Sequence, residues 1–428
     1  MRDNPGMTRT RRPARPSPPA PSSVVERNAA KAPGRAPRTS ILVASDWAPI
    51  RAFDEPMRAR PEALYGDLLP LLRQADLRIV NVECALTGAN APAWKSGAVF
   101  KGAPEHVRGL TAVPFDVACL ANNHVLDYGV AGLRETLRVL GRHDVQTVGA
   151  GLTEEDAYAP LTCQSGGSKV HIVNFSEGED LTASHGGPGV FGWAISRAID
   201  IIRRCRKQGG VVLAIGHCGL EYVPYPPPYV VAAFRAMSDA GADAVIGHHP
   251  HVPQGIEWRE GRPIIYSLGN FAFYQHTDLH HRKVGFVVTL HCENNRITEV
   301  DLVPYGITDT GLHLLTGHDA ADFRRTLAAV SAPFKTPSGP ARAWQAYLAY
   351  YGLSGFTSEV QGILDRMTTE PQKAAAMFRN RLTTMQHAEL WRECLTGIMS
   401  GETPRYSATA WRMVEEYFTT RISALPTR

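Results

Sequence analysis

No run of consecutive apolar residues in this sequence approaches the roughly 18 that cross a bilayer as a helix, so no transmembrane segment is expected. The N-terminus also lacks the apolar core of about 7–15 residues that marks a secretory signal. Cysteine is scarce: seven in 428 residues, an odd number, scattered and without a CxxC pair. A disulfide framework is therefore not expected. Cysteines set in apolar strand runs act as small hydrophobes, which suits a reducing cytoplasm, with any membrane association made through partners. Residues 1–38 have almost no large apolar side chains and few acids, but hold eight prolines and nine Arg/Lys. Such a segment cannot repay the entropy of ordering and is expected to be a disordered basic tail. It carries more than the whole net charge of +4, leaving the rest of the chain slightly acidic, and no nucleic-acid footprint is indicated across the fold.

With 44% hydrophobic residues the remaining chain can bury a large core. Short apolar runs (Ile41–Ala44, Leu77–Val80, Phe115–Leu120, Gln146–Val148, Lys169–Phe175, Val211–Ile215, Ala244–Ile246, Ile264–Tyr266) predict strands. They alternate with helical spacing over 62–75, 130–142, 195–208 and 230–240. Gly285–His291 and Arg296–Val303 predict a hairpin around Asn294-Asn295. From about residue 318 the pattern becomes long and helical. This predicts an α/β domain over 39–310 followed by a helical region over 311–428.

The chemistry concentrates where strands end. Three of the 16 histidines fall within Gly247-His248-His249-Pro250-His251, where Gly247 is expected to let the chain turn sharply out of the sheet. His249 and His251 can aim their nitrogens at one point, and neutral imidazole is the commonest metal ligand. Other strands deliver Asp46, then Asn81 and Glu83 on one side of the chain, then Asn123 and His124, then His217. Ligands of open α/β sheets bind beyond the carboxyl ends of strands, so these residues are expected to converge. Oxygen and nitrogen donors without thiolate suit one or two divalent ions of Mn, Fe or Zn. Two such ions roughly 3.5–4 Å apart lower the pKa of a water and clamp both oxygens of a phosphoryl displacement.

The order Asp46, NVECALT (81–87), ANNHVLDYG (121–129), HCGLEY (217–222), GHHPH (247–251) and YSLGNF (266–271) resembles the bacterial poly-gamma-glutamate capsule-synthesis family of the CapA type. That family is related to the calcineurin-like metallophosphoesterases. The resemblance covers roughly residues 39–310 and implies a four-layer α/β sandwich with a metal site at one edge. It also implies that Asp46 is the first metal carboxylate, that Glu83 with Asn81 takes the bridging station and that Asn123 binds the second metal. His124 would contact the phosphate or protonate the leaving oxygen, and His217, His249 and His251 would complete the shells. His248 has no place in this assignment and is expected to be a surface histidine. Asp127 either orients His124 or caps the helix that follows; Glu221 is either a base behind the site or a plain surface charge. Asn270 is expected to hold its loop by side chain-to-backbone bonds.

Two departures separate the chain from phosphoesterases of that superfamily. Where they offer Asp-x-His on the first strand this chain has Ala48, and where they offer Gly-Asp on the second it has Asn81-Val82-Glu83. The expected function is a metal-dependent, phosphoesterase-like hydrolase acting on a phosphorylated or polyanionic substrate in polymer or metabolite biosynthesis. The alternatives are a non-catalytic metal- or polyanion-binding subunit of a polymer synthase, with synthase subunits as partners, and a metal-dependent amide-handling enzyme.

Overall fold

Alternation of side chains along the strands sets the layering of the computed structural model, which describes residues 24–27, 38–177 and 181–422. In chain order the strands of the two main sheets are β1 (Val24–Arg27), β2 (Thr39–Ala48), β3 (Leu77–Val82), β4 (Val117–Cys119), β5 (Gln146–Val148), β6 (Leu161–Ser165), β7 (Ser168–Ser176), β8 (Val211–His217), β9 (Ala244–His248), β10 (Ile256–Arg259), β11 (Arg262–Ile265), β12 (Asn270–Phe273), β13 (Val284–Glu293), β14 (Arg296–Ile307) and β15 (Leu312–Leu314). The longer helices are α1 (Gly129–Arg142), α2 (Ile195–Lys207), α3 (Pro228–Asp239), α4 (Gly317–Ser331), α5 (Gly339–Thr369), α6 (Pro371–Thr383), α7 (Met385–Ser400) and α8 (Ala408–Thr419).

The first sheet runs β1-β14-β13-β2-β3-β4-β5, with β12 beside β2 and β15 beside β14; the second runs β10-β11-β9-β8-β7-β6. Strands β2 to β5 are parallel, as are β7, β8, β9 and β11. Ile41, Val43, Ile79 and Val117 of the first sheet meet Ile172, Leu213, Ile215 and Ile246 of the second in one shared core. The intervening residues Leu42, Ala44, Val80 and Ala118 face outward onto Leu68, Leu72, Leu110 and Leu133. On the far side Val212, Ala214 and Val245 pack against Ile201, Ile202 and Phe234 of α2 and α3. The result is the expected four-layer α/β sandwich. Each fully buried aliphatic side chain contributes roughly 1.5–3 kcal/mol to it.

The helical C-terminal region extends the inter-sheet core. Trp344, Ile363, Trp391 and Tyr417 join the same cluster. Tyr417 donates its hydroxyl to the Pro253 carbonyl (2.8 Å) and stacks on His281 at 4.0 Å. Among the described residues no helix is long and apolar enough to cross a membrane.

Several sequence expectations are corrected. The helix over 62–75 is broken: Gly66 takes φ +54, and a side chain there would stand 2.3 Å from the Leu312 carbonyl oxygen. Residues Val24–Arg27 of the expected disordered tail form a strand paired antiparallel with β14; the rest of residues 1–37 lies outside the described residues. The sheet continues past residue 310 to Leu314, because β15 pairs with β14. Gly247 does not make the turn. It lies within β9, where a Cβ would come within 2.0 Å of the Tyr266 carbonyl oxygen, and the chain turns instead at His249 (φ +96) and His251 (φ +55).

Candidate metal centre

The alternation that fills the core carries polar groups into its upper end. Residues 77 and 79 of β3 face the other sheet, so Asn81 and Glu83 do too; residues 213 and 215 of β8 bring His217 to the same side. Strict alternation would send Asp46 outward with Leu42 and Ala44. A register shift between Ala44 and Asp46 in the pairing of β2 with β3 sets Asp46 opposite Asn81 and turns it to the site.

Asp46, Asn81, Glu83, Asn123, His124, His217, His249 and His251 are all buried at this edge. The His217 Nε2 atom stands 3.0 Å from Asn123 Oδ1, 3.1 Å from His249 Nδ1 and 3.3 Å from Glu83 Oε1. Atoms bound to one ion at its usual N/O distance stand roughly 2.9–3.5 Å apart, a range that these three distances share with hydrogen bonds. Beside it, Asp46 Oδ2 lies 3.4 Å from His251 Nδ1, and His251 Nε2 lies 3.6 Å from Glu83 Oε1. Glu83, His249 and His251 offer ligand atoms within 4.8 Å of one another. Asn81 donates to Asp46 Oδ1 (2.7 Å), so it holds that carboxylate in place.

Charge is poorly balanced here. Both oxygens of Glu83 are buried without a hydrogen-bond partner. Burial lifts its pKa well above the usual carboxylate range, against the pull of His251. Burial also raises Asp46, but the hydrogen bond and charge of His251 prevail and lower it. His251 loses by burial and gains more from Glu83 and Asp46, reaching about 10. Burial and the neighbouring imidazoles hold His217 well below its ordinary value, neutral and with a lone pair available. A buried carboxylate without a hydrogen bond, beside the neutral His217 nitrogen and the Asn123 amide oxygen, fits a divalent cation, whose binding would displace the proton held on His251.

Next to these donors, the Asn122 side chain accepts from the backbone N–H groups of His124 (3.1 Å) and Val125 (3.0 Å), forming the turn that presents His124. Asp127 Oδ2 lies 2.6 Å from His124 Nδ1 and accepts from the Phe100 amide at 2.7 Å; its Oδ1 accepts from Lys95 Nζ at 3.0 Å. Burial would raise Asp127, but His124 and Lys95 lower it. It does not cap α1, whose N-cap is Tyr128 without a side-chain bond, so of the two roles left open for Asp127 the contact with His124 is the one made. Glu221 is exposed, standing in the cleft over the donors; enclosure raises its pKa, and the charges of His251 and His249 bring it down to about 2.

His248 corrects the expectation of a surface residue. Because β9 runs on through it, paired with His217, the ring is buried between the sheets with Nδ1 3.1 Å from Ser45 Oγ. Asn270 lies 2.9 Å from His251 Nδ1 and donates to the His251 and Arg282 carbonyls, both at 3.1 Å.

A cleft of about 520 Å³ opens above the donors, lined by Asn123, His124, Glu221 and His251 on one side and by Tyr351, Arg381, Gln386 and His387 of the C-terminal helices on the other. Gln386 of α7 reaches His249 Nε2 at 3.1 Å. Lys373 of α6 donates to the carbonyls of Lys95 (3.1 Å) and Gly97 (2.6 Å). Sequence reasoning missed Lys95, Arg51, Arg282 and Gln386. None of the four lies in one of the strand-end motifs.

Residues 40–275, more than half of the chain, match the family model described as bacterial capsule synthesis protein PGA_cap. The chain belongs to this family. It is 38% identical over 174 residues to the PGA biosynthesis protein CapA of Bacillus subtilis (strain 168), covering 40% of this chain and 46% of that protein. To the capsule biosynthesis protein CapA of Bacillus anthracis it is 34% identical over 216 residues, covering 48% and 51%. The chain thus spans about half the length of these relatives. Among solved structures it is similar to a 5'-nucleotidase precursor from Thermus thermophilus, with a TM-score of 0.40 and 12% identity over 68% of this chain and 58% of that one. The donor-bearing strands lie inside the family match, whereas α4 to α8, including the cleft's outer wall, lie beyond it.

Proposed function

We propose that this protein is a metal-dependent hydrolase of phosphoesters acting in the biosynthesis of poly-gamma-glutamate or a related polymer or metabolite. The observation that carries the reading is the shell around His217 Nε2, in which Asn123, His249 and the unpartnered carboxylate of Glu83 lie at 3.0–3.3 Å. Glu83, Asn123, His217 and His249 would hold one divalent ion; Asp46 and His251, sharing Glu83, would hold a second. Ions bound there supply Lewis acidity toward a phosphoryl group and an attacking water.

The chain's own groups do the rest. With His124 Nδ1 engaged by Asp127, its Nε2 is the atom left to carry a proton to the leaving oxygen. Lys95 fixes the far oxygen of Asp127 and so the angle of the ring. The C-terminal helices roof the cleft and exclude bulk water from the donors.

A second reading rests on Ala48, which lies opposite Phe273 and supplies no ligand where phosphoesterases of the superfamily offer a histidine. On that reading the chain is a metal- or polyanion-binding subunit of a polymer synthase, or handles an amide. Metal content of the purified protein, and hydrolysis of an aryl phosphate with added Mn, Fe or Zn, separate the two. Near-stoichiometric metal with turnover that His249→Ala and Asn123→Ala both remove supports the hydrolase. Metal without turnover supports the second reading, and a metal-free wild type that none of the three ions activates rejects the metal centre and leaves polyanion binding as the role.

A further inference from the structure

Arg51 and Arg282 line the cleft beside His251, and among the described residues neither forms an ion pair. The third arginine of the cleft, Arg381, is committed to Glu359 at 2.6 Å, and Lys95, beside His124, to Asp127 at 3.0 Å. Glu221 is the one acid that acts on Arg282 at longer range, and the two arginines outnumber it. The Arg282 guanidinium lies 3.4 Å above the ring of Tyr222, which itself faces His251 at 6.1 Å; its Nε is buried without a hydrogen-bond partner. Arg51 lies 5.5 Å over Phe100, whose ring packs 4.2 Å from His124, and donates one Nη to the Tyr274 carbonyl at 2.8 Å. Each cation is thus seated on a ring that touches a histidine of the floor.

The backbone is strained to achieve this. Arg51 (φ +59) and Tyr222 (φ +70) are both left-handed, a conformation side-chain-bearing residues rarely adopt and one that clusters at ligand clamps. Guanidinium is the group best shaped to take a carboxylate or phosphate by paired hydrogen bonds.

We propose that Arg51 and Arg282 form an anion clamp that seats a second acidic group, a carboxylate or a phosphate, of a small substrate whose reacting group lies at His124 and the metal donors. The cleft's 520 Å³ is the size of a small-molecule site. That the anion belongs to a substrate rests on the hydrolase reading; that the pair binds anions does not.

The test is calorimetric titration of inorganic phosphate, succinate and neutral succinamide into the full-length protein, stripped of metal on a chelating resin, at low salt. The wild type is expected to bind phosphate or succinate and not succinamide, and whichever anion binds more tightly identifies the group. Arg51→Gln and Arg282→Gln each weaken binding about tenfold or more, and the double variant abolishes it. Arg259→Gln, which breaks an exposed ion pair with Asp239, leaves binding unchanged. Should Arg282→Gln fail to fold, Arg282→Lys keeps the charge without the fork and is expected to weaken binding part-way. No binding by the wild type, or equal binding by the double variant, overturns the clamp. Aryl phosphate hydrolysis with added Mn is measured separately, so that anion binding without turnover counts against the hydrolase reading alone.

Discussion

Replacing Glu83 by Gln should uncouple the stability of this protein from divalent ions. The wild-type carboxylate is buried with neither oxygen hydrogen-bonded, and burial together with the charges of Asp46 and Glu221 drives its pKa up; a cation supplies the missing partner. A ligand present at a hundred times its Kd stabilises the native state by about 2.7 kcal/mol. With an unfolding entropy of about 2.1 cal/mol/K per residue, a chain of 428 residues has a slope of roughly 0.9 kcal/mol/K, so the melting temperature should rise by about 3 °C. The assay is thermal unfolding of resin-stripped protein with Mn, Fe or Zn titrated in. Glu83→Gln keeps the volume and removes the charge, and its shift should fall below about 1 °C at the same metal concentration. A full shift in Glu83→Gln, or none in the wild type with any of the three ions, would refute the assignment of Glu83 as the shared ligand.

Three further outcomes follow from the geometry. Asp127→Asn removes the carboxylate that fixes His124 Nδ1, and kcat for phosphoester hydrolysis should fall by roughly 10²–10⁴ with KM little changed; a drop confined to KM would contradict the role. His281, buried against Tyr417, has its pKa lowered by burial from 6.5 to about 3. The unfolded ring therefore takes a proton below pH 6.5 while the folded ring does not, so this contribution is complete above 6.5 and is lost as pH falls. At pH 5 the loss is about 2 kcal/mol, and in His281→Phe the fall in unfolding free energy between pH 7 and 5, measured by urea unfolding, should be smaller by that amount. Asn270→Ala removes the bonds to the carbonyls of His251 and Arg282 and the contact with His251 Nδ1, together worth about 2–3 kcal/mol. It should weaken metal binding at His251 more than it lowers the melting temperature, as elemental analysis and thermal unfolding would show together.

The fold was readable because the central strands of both sheets are short, uninterrupted apolar runs buried on both faces, and each predicted run overlaps an observed strand. His217 was expected nearby only because it ends a later strand, whereas Asn81 and Glu83 could be placed on one side from the period-2 alternation of a strand. Asp46 could not: its orientation depends on a local register shift, and one extra residue in a strand leaves no mark in composition. His248 was misjudged for a related reason. Its neighbours His249 and His251 do leave the sheet, and only the pairing of β9 with β8 shows that the strand has not yet ended at His248. The outer wall of the cleft was beyond sequence reasoning, because Arg381 and Gln386 come from helices more than a hundred residues after the last metal donor and show no local motif.

The strain in the site explains why a single loop can supply so much of it. His249 and His251 are both left-handed, at a cost of roughly 1–3 kcal/mol each. Around them the Cys218 amide donates to the His248 carbonyl (3.1 Å), the Tyr222 amide to the Pro250 carbonyl (2.7 Å) and the Asn270 side chain to the His251 carbonyl (3.1 Å). These bonds come from the ends of β8 and β12, so both sheets hold the loop in a conformation it would not keep alone. A relaxed loop would carry its histidines apart, since alternate residues of an extended chain share a side but not a focus. Bending the backbone at both residues is what allows His249 to face His217 and His251 to face Glu83 across the same few ångströms. The left-handed Arg51 and Tyr222 at the cleft's entrance show the same device, with neighbouring packing offsetting a locally unfavourable backbone to aim a charged group.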